Sequence, residues 1–112
     1  LCQVVGVKEV FLAHPDATRS LYPHVALSAS SKHTSKVDLQ KYFEDKEYAS
    51  QYPKLKNITF YRATLNPGDC LYIPPCWWHH VVSTSSDTEN FCASVTLRWQ
   101  IETYEKVHPC AF

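Results

Sequence analysis

A chain of 112 residues that is 45% hydrophobic carries enough apolar side chain for one packed core, which excludes a disordered segment. Its 11 basic and 11 acidic side chains cancel and no run concentrates one sign, which excludes a nucleic-acid or anionic-membrane partner held mainly by charge. No apolar run approaches the roughly 20 residues that cross a bilayer, and no signal-peptide pattern is visible.

Residues 2–12, "CQVVGVKEVFL", are valine-rich and roughly alternating, which predicts a strand. Gly6 inside it marks a bulge or a close backbone approach. "AHPDATRSLYPH" follows, with Pro15 and Pro23 bracketing a short turn or helical loop. Residues 28–36, "SASSKHTSK", read as an exposed polar loop. "VDLQKYFEDKEYASQYP" is the one helical stretch, with Asp38 as its cap and Pro53 forbidding continuation.

The rest of the chain reads as β. Ile58 to Leu65 predict a strand, and "NPGD" at 66–69 a turn. "CLYIP" predicts a second strand, His79 to Ser83 a third after the Pro74-Pro75 break, and "FCASVTLRWQ" a last one after the loop "STSSDTEN". The final twelve residues, from Ile101, are expected to leave the sheet. Short strands, Gly/Pro turns and one helical insert predict an all-β fold, an antiparallel sandwich or jelly roll, with residues 1–112 forming part of a single domain.

Cys2, Cys70, Cys76, Cys92 and Cys110 are odd in number and have no CxxC spacing. They predict neither a disulfide framework nor a zinc cage, and hence a reducing, intracellular compartment. Leu1 opens directly into an apolar run, so an earlier strand is expected to precede it.

The residues that ask for chemistry lie in "LYIPPCWWHHVVS", where His79 and His80 adjoin inside a strand. Successive strand side chains point to opposite faces, so the two histidines cannot serve one pocket. Taken alone, each is an ordinary histidine, one hydrogen-bonded in a core and one exposed. The longer string "NPGDCLYIPPCWWHHV" resembles the signature of the jumonji-C, or cupin-like, oxygenases. The likeness is strongest to the branch of the asparaginyl hydroxylase called factor inhibiting hypoxia-inducible factor. "CQVVGVKEVFL", "LYPH" at 21–24, "SKVD" and "SVTLRW" resemble further family segments in the right order.

The resemblance implies a double-stranded β-helix, cupin-like and partial here, that uses Fe(II) and 2-oxoglutarate. It makes His79, the histidine directly after the aromatic pair, a metal ligand. It puts Lys8 on the distal carboxylate of 2-oxoglutarate, where a buried ammonium finds its anion. Taken alone, Lys8 reads as a solvent-facing strand lysine. Thr96 stands where relatives carry Asn or Ser beside the co-substrate, although by residue type it is a β-branched strand residue. It would share a face with Ser94 and Arg98, and Arg98 departs from the family's usual Trp.

Non-haem iron oxygenases hold the metal with two histidines and a carboxylate. The chain has no H-x-D or H-x-E, and the family pair is expected upstream of Lys8. The expected function is therefore part of a 2-oxoglutarate-dependent dioxygenase that hydroxylates a protein side chain, inactive as an isolated piece. A homodimer is open to it, and neither nucleic acid nor membrane is indicated as a partner. The alternative is a cupin-like interaction module that has lost its metal.

Overall fold

The computed structural model of the chain describes residues 1–24, 34–85 and 91–99. The chain divides into two compact units, one built from Leu1–Ala13 with the described residues from Phe60 to Trp99, the other from the described residues of His14–Thr59.

The first unit is antiparallel β, as the sequence predicts. Strands β1 (Cys2–Val5) and β5 (Ala93–Val95) form a two-stranded sheet. Strand β2 (Val7–Ala13) lies between β3 (Phe60–Leu65) and β4 (Trp78–Thr84) in a three-stranded one. The predicted strand over residues 2–12 is thus two strands in different sheets. Gly6 makes the break, at φ 74°. A Cβ there would come within 2.9 Å of the Thr84 carbonyl oxygen and 3.1 Å of the Cys92 side chain, so only glycine fits.

Strand β2 is the centre of the unit because it pairs on both edges. Val10 is fully buried, and it clusters with Leu12 and Leu65 under Leu1, Ala63, Leu71, Ile73 and Trp77. Burial of one such side chain contributes roughly 1.5–3 kcal/mol. Across the opposite face, Glu9 forms an ion pair with Arg62, whose guanidinium lies 5.7 Å from the Phe11 ring centre.

The turn at Asn66–Asp69 has Pro67 then Gly68, the latter at φ 96° as its position requires. It is stitched to β1: Gly68 N–H donates to Gln3 O at 2.9 Å, and Gln3 N–H donates to Asp69 O at 2.8 Å. The predicted strand "CLYIP" does not form. Cys70 makes a single antiparallel bridge to Cys2, and the chain then runs irregularly to the Pro74-Pro75 pair, which lack the N–H a ladder needs.

The cysteine expectation is also corrected. Cys2 and Cys70 form a disulfide across a separation of 68 residues, and Cys76 is disulfide-bonded as well. Cys92 is the free cysteine among the described residues. The bridge was illegible from spacing because the turn, not sequence proximity, brings residue 70 onto residue 2.

The second unit holds the short helices. The predicted single helix is two, α1 (Leu39–Glu44) and α2 (Lys46–Ser50). Asp38 caps α1, its carboxylate accepting from Lys41 N–H at 3.1 Å. Asp45 then leaves helical geometry at φ −119° and caps α2, accepting from Glu47 and Tyr48 N–H. Pro53 opens a 3-10 helix, Pro53–Asn57, in the position where its missing N–H costs nothing. A second 3-10 helix, Pro15–Ser20, occupies the stretch between Pro15 and Pro23. Among the described residues of this unit, Leu21, Leu39 and Leu55 are the buried apolar side chains. Residues 28–33 of the predicted polar loop, 86–90 of the later loop and the stretch from residue 100 onward lie outside the described residues. The last strand is shorter than the predicted 91–100.

Candidate functional site

Register decides which side chains meet. Leu12 pairs with His79 across β2 and β4, and Lys8 with Ser83. Across the other edge Leu12 pairs with Tyr61 and Lys8 with Leu65. Paired residues share a face and alternate residues return to it. One face of the sheet therefore carries Lys8, Val10, Leu12, Tyr61, His79, Val81 and Ser83. His80 pairs with Phe11 and lies on the other face, as the alternation predicts. The four-residue step from His79 to Ser83, the partner of Lys8, puts Lys8 and His79 about 13 Å apart along the sheet. An extended lysine side chain and a five-carbon diacid together bridge such a gap.

His79 is exposed, and its Nδ1 lies 3.2 Å from the Trp77 carbonyl oxygen. A carbonyl accepts only from a protonated nitrogen, so in the neutral ring this contact puts the proton on Nδ1 and leaves the lone pair on Nε2. That is the tautomer in which metal-binding histidines are held by a backbone carbonyl. Trp77 packs against Tyr61 with ring centres 5.7 Å apart, giving this end of the face an aromatic wall. The neighbouring His80 is different. Its ring lies 6.2 Å from that of Phe11, and its Nε2 is buried with no hydrogen-bond partner among the described residues.

Lys8 is half-buried and donates from Nζ to the Ser94 hydroxyl at 2.9 Å. This links the three-stranded sheet to β5. Ser94 in turn pairs in register with Gln3, which is 2% exposed. The Gln3 side-chain nitrogen lies 2.6 Å from Val5 O, 2.9 Å from Gly6 O and 3.1 Å from Cys92 Sγ, three neighbours that share its two N–H donors. One buried glutamine thus holds the carbonyls on either side of the Gly6 turn and ties them to the strand that carries Ser94.

Thr96 lies one residue beyond β5 and is exposed, as is Arg98. The residue that meets Lys8 is Ser94, two positions earlier on the same predicted face. Sequence reasoning named that face but passed over Ser94, and alternation through "ASVT" was the available signal. Tyr72 and Trp99 are exposed and stack at 6.4 Å. Tyr61 is also exposed.

Among the described residues no group of three His, Cys, Asp or Glu side chains converges as a metal site. One imidazole does not hold Fe(II) with useful affinity, so these residues do not by themselves fit an iron ion. The donors of Lys8 and Ser94 do fit an anion. No described helix is long and apolar enough to cross a membrane.

The family model described as a cupin-like domain matches residues 1–104. The chain is 41% identical over 100 residues to Jumonji C domain-containing protein 5 of Drosophila melanogaster, covering 89% of this chain and 22% of that protein. It is 36% identical over 83 residues to Lysine-specific demethylase 8 of Danio rerio, covering 74% and 19%. It is 31% identical over 100 residues to tRNA wybutosine-synthesizing protein 5 of Mus musculus, covering 89% and 27%. The chain thus spans about a fifth to a quarter of the length of these relatives. On the family match and these identities, the chain belongs to the cupin-like (jumonji-C) domain family.

Proposed function

We propose that the chain supplies the co-substrate lysine and one metal ligand of an Fe(II)- and 2-oxoglutarate-dependent oxygenase. The supporting observation is that Lys8 and His79 share one face of the sheet, with Lys8 facing no carboxylate among the described residues. A half-buried ammonium without an anion is costly, and a dicarboxylic co-substrate supplies one. His79 offers its Nε2 to the metal, with the Trp77–Tyr61 ring pair at the same end of the face. The remaining ligands come from outside the described residues. When bound, iron and 2-oxoglutarate would supply hydroxylation of a C–H bond with dioxygen as the oxidant, one of its oxygen atoms going to the substrate and the other to the succinate formed as 2-oxoglutarate loses carbon dioxide. Thr96 is an additional co-substrate contact in this reading.

The substrate proposed is a protein side chain, undergoing hydroxylation as in the branch of factor inhibiting hypoxia-inducible factor. The likeness to that branch rests on the string at 66–81. The names of two relatives refer to lysine demethylation and to tRNA; the balanced charge of this chain favours protein over nucleic acid. A homodimer and an intracellular compartment complete the reading. The Cys2–Cys70 bond argues the other way on compartment, since disulfides persist where the surroundings oxidise.

The test is Fe(II)-dependent succinate release by the full-length protein. Lys8→Ala is expected to raise the KM for 2-oxoglutarate at least tenfold, the loss of one charge-assisted contact. Unchanged KM contradicts the assignment of Lys8. The second reading, a cupin-like scaffold without metal, is favoured by the single ligand among the described residues. It predicts a folded full-length protein that binds no 2-oxoglutarate.

A further inference from the structure

We propose that the Cys2–Cys70 bond is a reversible thiol–disulfide switch on the site above, opened by a thiol reductant; its effect on turnover rests on the oxygenase reading. Cys2 and Cys70 oppose each other in an antiparallel bridge. Backbone hydrogen bonds flank this pair rather than join it. Gln3 N–H donates to Asp69 O at 2.8 Å, and Leu71 N–H donates to Leu1 O at 2.8 Å. That is the non-hydrogen-bonded register, in which opposed side chains lie closest. The flanking bonds do not involve sulfur, so they hold the two thiols side by side after reduction. The disulfide can then re-form without refolding. Cys70 is exposed just after the Asn66–Asp69 turn, so a thiolate reaches its sulfur from solvent. Exposed disulfides exchange readily, whereas structural ones resist the glutathione pool.

A reductant thiolate attacks Cys70 Sγ, the sulfur–sulfur bond breaks, and Cys2 leaves as a thiolate that takes up a proton. A second reductant thiolate attacks the mixed disulfide and releases Cys70, which is protonated in turn. The reductant departs as its own disulfide, and two electrons and two protons pass to the cysteine pair. The bond stands at the root of both segments that carry the candidate site. Cys2 opens β1, which runs through Gly6 into the strand of Lys8. Cys70 opens the segment that runs through Pro74-Pro75 into the strand of His79. Closed, the bond joins the two segments covalently; open, it leaves them to backbone hydrogen bonds at Leu1, Gln3 and Leu71. A bond that opens and closes also fits an intracellular chain, where a permanent one does not.

The experiment equilibrates the full-length protein with graded ratios of reduced to oxidised glutathione, then alkylates free thiols and maps Cys2 and Cys70 by mass. The KM for 2-oxoglutarate with iron is measured at each ratio. The pair is expected to open and close again within the span between reducing and oxidising compartments, with the protein folded throughout. The open form is expected to have a KM at least about fivefold higher than the closed one, the low end of coupling between sites. Cys2→Ala with Cys70→Ala is expected to show the KM of the open form at every ratio, which separates this pair from the disulfide-bonded Cys76. A response that survives in that variant overturns the assignment. Alkylation of the parent needs no variant, so reversibility is read even if the double substitution fails to fold. A bond that stays closed at the most reducing ratio, or opens only with unfolding, overturns the switch and leaves the oxygenase reading standing. Equal KM in the open and closed parent overturns its hold on the site. A parent with no turnover in either state overturns the oxygenase reading, while alkylation still decides whether the bond is reversible.

Discussion

The Gln3 amide donates to the Gly6 carbonyl at 2.9 Å, across the turn that separates the two strands of the opening segment. Gly6→Ala is expected to destabilise the protein by about 2–4 kcal/mol, since a left-handed backbone and a close carbonyl both oppose a Cβ. Denaturant midpoints at unchanged slope measure it. A midpoint equal to that of the parent would contradict the close approach.

The Cys2–Cys70 bond closes a loop of 68 residues. Cross-linking a loop of that size stabilises by about 4 kcal/mol in the chain-entropy account. Reduction, or the double substitution Cys2→Ser with Cys70→Ser, is expected to lower stability by an amount of that order. Peptide mapping after alkylation without reductant checks the pairing itself, and it shows whether the protein as isolated has met an oxidising compartment. Alkylated Cys2 and Cys70 in the unreduced protein would contradict the bond.

Tyr52 is held above the ordinary phenol range, first by its hydrogen bond with Tyr48, then by desolvation and by the neighbouring Tyr48 and Tyr22. A raised value means that the folded chain keeps its proton more tightly than the unfolded one. The contribution to stability is therefore complete below the ordinary phenol value and is lost as pH rises through the folded one. Tyr48→Phe removes the hydrogen bond and is expected to bring Tyr52 back down. Ultraviolet absorbance of the phenolate during alkaline titration reads the shift, and an unmoved transition would rule out the Tyr48 contact.

Local chemistry was legible in the sequence and distant chemistry was not. Asp38 as a cap, Pro67-Gly68 as a turn and Gly6 as an interruption follow from the conformations those residues prefer. The alternation of His79 and His80 follows from strand geometry alone. Asp45 was not legible, because its cap lies inside an apparently continuous helical pattern. The pairing of Cys2 with Cys70 and of Lys8 with Ser94 depends on how strands far apart in the chain come to lie together. No spacing rule carries that information. The end of the "CLYIP" strand at one bridge has the same origin, since only the adjacent proline pair foretold it.

Central to the account is that His79, and not its neighbour, serves the face that carries Lys8. The direct measurement is Fe(II)- and 2-oxoglutarate-dependent succinate release by full-length His79→Ala beside His80→Phe. His80→Phe keeps the ring against Phe11 and replaces a nitrogen that is buried without a partner among the described residues, so folding is expected to survive it. The account predicts that His79→Ala abolishes turnover while His80→Phe retains it within a few-fold. Retained turnover in His79→Ala, with loss in His80→Phe, would contradict it.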